Sequence, residues 1–149
     1  DAFTPVGQGM IPTGEILPVE GTPMDFRAAK SIGADIEADY EQLKIAGGYD
    51  HNYVLNNSNG TLRKIAEVTE PESGRRMEVF SDAVGVQFYA GNFVKDEKGK
   101  NGHVYHERHG FCLETQVEPN AVNVEDFHSP ILRPGEEYSS ETVYRFFVK

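Results

Sequence analysis

Proline and glycine alternate through the first 27 residues, with Gly7, Gly9, Gly14 and Gly21 set between Pro5, Pro12, Pro18 and Pro23. Each proline fixes φ and withdraws a backbone donor, so no window here is long enough for a helix. Short extended pieces joined by turns are expected instead. A strand falls within 11–19, with a turn or bulge at Thr13-Gly14. Residues 30–43 form the one helical patch: Ile32, Ile36, Tyr40 and Leu43 follow at spacings of four, four and three and share a face, which Gly33 weakens.

From Tyr49 onward the pattern is β. Tyr53-Val54-Leu55 leads to Asn59-Gly60, a hairpin turn signal. A strand over 62–69 then alternates, Pro71 to Gly74 turns, and 76–81 returns. Residues 84–93 are apolar and aromatic, 95–102 form a solvated loop, 111–117 and 141–148 are further strands, and Pro130 to Gly135 is a turn. There is no tandem repeat and no linker. The reading is one all-β, mostly antiparallel domain over 1–149.

Length and charge narrow the function classes. At 149 residues the chain has no room for separate cofactor and substrate domains. Its formal charge of −10 disfavours phosphate backbones and anionic lipid, so neither nucleic acid nor membrane is expected as a partner, while neutral or cationic ligands remain open. No apolar stretch approaches a membrane span, and no basic-then-apolar signal stands at Asp1, although a processed chain would have lost one. A single Cys112 cannot form an internal disulfide, which favours a reducing, cytoplasmic setting.

Several chemistry-bearing patterns resolve to plain roles. His103, His106 and His109 are spaced by three, which on a strand sends neighbours to opposite faces, so no metal site is expected there. Asp35, Glu37, Asp39 and Glu41 resemble a calcium ladder, but Tyr40 stands where the sixth-position glycine belongs and Ala46 at the closing position. A solvated acidic segment is the better reading. Cys112, between Phe111 and Leu113, reads as a small core residue rather than a nucleophile. Two glycosylation acceptor patterns, at Asn56 and Asn59, read as turn residues.

Two segments set polar groups into apolar strands. Along 110–116, Cys112, Glu114 and Gln116 face one way and Phe111, Leu113 and Thr115 the other. If that first face is partly buried, desolvation tunes the Glu114 carboxylate toward a general base; if the strand is an edge, Glu114 simply faces water. Along 47–53, Gly47-Gly48 precede Tyr49-Asp50-His51-Asn52-Tyr53, a mixture of rings, carboxylate and carboxamide that suits a sugar. A turn capped by Asp50 accounts for the same residues. Val86-Gln87-Phe88-Tyr89 repeats the theme.

Taken together, Gly48-Tyr49-Asp50-His51-Asn52, the run Gly85 to Asn92 and the run Gly110 to Gln116 resemble the aldose 1-epimerase (galactose mutarotase) family. So do Ile11 to Glu15, Gly21 to Phe26, and Asn123 through Gly135. The likeness covers essentially the whole chain but only the C-terminal half of the family's fold, the N-terminal portion being absent. It implies half of a large antiparallel β-sandwich that interconverts the anomers of a free hexose, galactose or glucose, without a cofactor. It places the general base at Glu114 and sugar-binding residues at Asp50 and Gln87. The family's histidine acid falls outside the likeness, so that role is assigned to none of the five histidines. Two other readings are a non-catalytic carbohydrate-binding module and a structural fragment. The expected partners are a hexose and either a complementary N-terminal half or a second copy met through exposed strand edges.

Overall fold

Backbone conformation along the chain follows its punctuation. The computed structural model describes residues 1–148. In chain order the strands are β1 (Ala2–Phe3), β2 (Leu17–Pro18), β3 (Asp50–Val54), β4 (Arg63–Thr69), β5 (Arg75–Ser81), β6 (Gly85–Tyr89), β7 (Glu97–Lys98), β8 (Val104–Tyr105), β9 (Cys112–Gln116) and β10 (Thr142–Val148), with one helix, α1 (Glu41–Ala46), before β3. The protein is all-β and antiparallel, as its sequence pattern implies.

A five-stranded sheet runs β2-β1-β3-β6-β9, a three-stranded sheet runs β10-β5-β4, and β7 and β8 make a small ribbon. The three-stranded sheet grows from a hairpin at 70–74, where Gly74 takes positive φ and donates to the Glu70 carbonyl. The two larger sheets meet where Thr142 Oγ1 lies 2.7 Å from Thr115 Oγ1 and the Tyr144 hydroxyl donates to the Leu113 carbonyl. Arg63 adds three donations to the carbonyls of Asn56, Ser81 and Ala83.

Strand alternation gives the five-stranded sheet two unlike faces. Phe3, Tyr49, His51, Tyr53, Phe88 and Leu113 share one, as the register His51 opposite Phe88 and Phe88 opposite Leu113 requires. This face carries the core, with Val19, Met24, Ile36 and Leu43 packed on it. Tyr49 stacks on Phe88 at 5.3 Å and Phe26 meets Tyr49 edge-on at 5.0 Å. The opposite face is polar and is treated below.

Four expectations change. The helix predicted over 30–43 is instead turns through 31–39 followed by α1, which Gly47 ends in the left-handed region. Ile36 and Leu43 still join the core and Ile32 and Tyr40 pack against it, because turns deliver them as well as a helix does. The 11–19 strand shrinks to β2, with Pro12 making only an isolated bridge to Val6. Asn59-Gly60 closes no hairpin: β1 and β6 occupy both edges of β3, so the loop crosses from one sheet to the other. Cys112 is exposed rather than a core residue, since its strand position puts it on the polar face.

Candidate functional site

The polar face is assembled from three strands held in register. Asn52 lies opposite Gln87, which lies opposite Glu114; Asp50 lies opposite Tyr89, which lies opposite Cys112; Gln116 lies opposite Gly85. Even-numbered positions of β3, odd-numbered ones of β6 and even-numbered ones of β9 therefore look the same way. Asp50, Gln87 and Glu114, distant in sequence, are brought onto one surface.

Hydrogen bonds order this surface. Gln116 Nε2 donates to Asn52 Oδ1 and to Gln87 Oε1, both at 3.2 Å. Gln87 Nε2 in turn donates to Asp50 Oδ1 at 2.8 Å. The chain of carboxamides ends on the half-buried Asp50 carboxylate and fixes its orientation, with Oδ2 free of protein donors among the described residues. Glu114 sits one strand further out and is exposed, so the partly buried carboxylate envisaged from the strand pattern is not what the chain shows. β9 is the edge of its sheet. The Cys112 thiol, though exposed, is pushed up from its ordinary pKa, first by partial desolvation of its sulfur and then by the Glu114 charge.

A cavity of about 90 Å³ opens on this face between Thr4, Val6, Met10, Asp50, Asn52 and Gln87. A larger space of about 320 Å³ is lined by Ala121 to Glu125, Phe127 and Ser129 to Ile131, with Glu125 as the charged residue of that lining. Only the smaller one meets the ordered carboxylate and carboxamides.

The histidines lie elsewhere. His51 points into the apolar face, fully buried and edge-on to Phe3 at 5.9 Å, and burial depresses its pKa to about 4. His128 is bound to the buried Glu118 carboxylate at 3.0 Å, and His106 pairs with Asp96 and meets His109 edge-on. No histidine bonds to the side chain of Glu114, Asp50 or Gln87 among the described residues; His51 Nδ1 meets only the backbone N–H of Asp50. Among the described residues no group of three metal-ligating side chains is found, and no helix is long and apolar enough to cross a membrane. Three carboxylates of the acidic run pair with cations, Asp35 with Lys30 and Glu37 with Arg108 at 2.8 Å each, and Asp39 with Lys44.

The aldose 1-epimerase family profile matches residues 1–145. The chain belongs to the aldose 1-epimerase family. It is 44% identical over 149 residues to a human protein named galactose mutarotase, and 35% identical over 151 residues to the aldose 1-epimerase of Escherichia coli. These alignments cover 99% and 100% of this chain, but 42% and 43% of the relatives. The chain thus spans less than half the length of the aldose 1-epimerases it matches. Among solved structures, a GalM/aldose epimerase homologue from C. elegans superposes with a TM-score of 0.78 at 28% identity, covering 99% of this chain and 43% of that one. That is the galactose mutarotase-like sandwich fold.

Two site residues escape a reading of the sequence alone. Gln116 is visible as a neighbour of Glu114 by strand alternation, but its bonds to Asn52 and Gln87 depend on which strands pair. Thr4 carries no motif at all; only the topology sets β1 beside β3 and so brings Thr4 next to Asn52, whose carbonyl its N–H contacts at 2.9 Å.

Proposed function

We propose that this chain forms the base-bearing, sugar-holding portion of an aldose 1-epimerase acting on a free hexose, galactose or glucose. The observation that carries it is the common face shared by Asp50, Gln87 and Glu114 across β3, β6 and β9. In this reading Asp50 and Gln87 hold ring hydroxyls and Glu114 takes the proton from the anomeric O1. The C1–O5 bond then breaks, O5 receives a proton from an acid, and C1 becomes a carbonyl. After rotation about C1–C2, O5 attacks C1 again and gives its proton back to the acid, while Glu114 returns its proton to O1 of the other anomer. Positioned acid and base groups each contribute about 10²–10⁴-fold.

The acid belongs to another part of the fold, supplied by a complementary N-terminal portion. An exposed Glu114 also favours a second reading, in which the isolated chain binds a hexose without turning it over. One experiment tests the catalytic reading. Polarimetry on freshly dissolved α-galactose, with the complete assembly, should show catalysed mutarotation abolished in Glu114→Gln, because the amide keeps the shape and loses the basic lone pair. A wild-type rate in that variant removes Glu114 from the mechanism.

A further inference from the structure

We infer that the cavity beside Asp50 is a binding site for a single hydroxyl group, held by Thr4 and Asn52, which fixes the Asp50 carboxylate toward its ligand. The inference rests on the reading of Asp50 as a sugar contact and extends it to two residues with no assigned role.

Three observations meet here. The cavity, at about 90 Å³, is well above the roughly 10–15 Å³ that one water requires. Thr4 is fully buried and Asn52 is 2% exposed, yet Thr4 Oγ1 and Asn52 Nδ2 have no protein partner among the described residues. Native interiors seldom leave such groups orphaned. The Asn52 amide is also fixed in its sense, because Oδ1 accepts from Gln116 and Nδ2 is left as the donor without a partner. Gly85 makes room for it: a Cβ there would stand 2.5 Å from Asn52 Oδ1.

The surrounding groups define the occupant. Asn52 Nδ2 can only donate, the Asp50 carboxylate can only accept, and the Thr4 hydroxyl does either. One small group that receives from Asn52 and gives to Asp50 needs a lone pair and a proton on the same atom, which is a hydroxyl. An amide donor opposes a cation, Asp50 opposes an anion, and a methyl group would leave Thr4 Oγ1 and Asn52 Nδ2 unsatisfied. Two sources share this chemistry, a water molecule and a hydroxyl of the sugar. The walls are firm: Gln42 binds both the N–H and the carbonyl of Val6, at 2.7 and 3.1 Å, and Asn120 Nδ2 reaches the Pro12 carbonyl at 3.4 Å. Thr4 and Asn52 are thus positioning residues.

Crystals of this chain, free and soaked with galactose, provide the test. The free crystal should show a water within about 3.2 Å of Thr4 Oγ1, Asn52 Nδ2 and an Asp50 oxygen. With galactose, a peak that persists beside the sugar identifies water as the source, and replacement by a sugar oxygen identifies the ligand. An empty cavity, an ion, or Thr4 Oγ1 bonded to protein in the free crystal overturns the inference. Galactose titration by NMR supplies a second measurement: Thr4→Val, which keeps the shape, should bind about 5–30-fold more weakly, and Thr4→Ser should restore affinity. Equal affinity in all three proteins also overturns it. A wild-type chain that binds no galactose counts against the functional reading, and the free crystal then judges the hydroxyl site by itself.

Discussion

Acidifying the solution from about pH 7 to about pH 4 should cost this fold roughly 3 kcal/mol through His51 alone. The imidazole is fully buried against Phe3, and desolvation holds its pKa near 4 against an ordinary 6.5. Its Nδ1 accepts from the Asp50 N–H at 3.2 Å, a bond that only the neutral ring can receive. Between those two values the unfolded chain binds a proton that the folded chain refuses, so stability falls as pH falls. The contribution is fully present above the unfolded pKa and gone below the folded one. At about 1.36 kcal/mol per unit, a gap of 2.5 units gives about 3 kcal/mol. Urea unfolding followed by circular dichroism at several pH values across this window measures the slope. His51→Asn, whose carboxamide oxygen can replace Nδ1 as acceptor, should be less stable near neutral pH but lack this part of the slope. Identical slopes in the two proteins would refute the argument and place the charged ring within reach of water.

Asp50→Ala and Gln87→Ala should each weaken hexose affinity by about 1–3 kcal/mol; unchanged calorimetric affinity in both would make them purely structural groups. The chain in isolation should mutarotate galactose at close to the uncatalysed rate and gain activity when mixed with a complementary N-terminal portion, as polarimetry on the mixture will show. It should also self-associate, because β10 is a sheet edge with Phe146 71% exposed and Tyr144 and Val148 beside it. A monodisperse, fully active monomer by light scattering and polarimetry contradicts both statements. Gly48→Ala should destabilise the fold by about 1–3 kcal/mol: φ is +138° and a Cβ would fall 2.4 Å from Asn92 Oδ1, in a side chain that bonds the Ala46 and Tyr49 carbonyls. Thermal melting checks it.

Strand existence was legible wherever side chains alternate, as at Arg75–Ser81 and Cys112–Gln116, because period-two patterning is a local property. The split of Cys112, Glu114 and Gln116 from Leu113 and Thr115 followed from the same rule. Pairing was not legible, since it depends on which edges other strands have taken; Asn59-Gly60 is a good turn sequence that has no free neighbour to fold back on. The same limit hid Thr4. His51 and Asp50 adjoin in sequence and face opposite sides, a division that alternation predicts, although only the packed sheet shows which side is apolar. Burial of Glu114 was beyond the pattern too, because an edge strand and a central one read alike.

The carboxamide relay that ends on Asp50 joins positions 37 and 29 residues apart. No two of these groups meet in an unfolded chain, so a sugar that bridges them has affinity for the folded state alone. Such a ligand acts as a thermodynamic staple on the three central strands. At one hundred times its dissociation constant it adds about 2.7 kcal/mol to the unfolding free energy. Hydrogen exchange should slow together in β3, β6 and β9 as galactose is added, while the hairpin of β4 and β5, which holds none of these groups, keeps its own rate of opening.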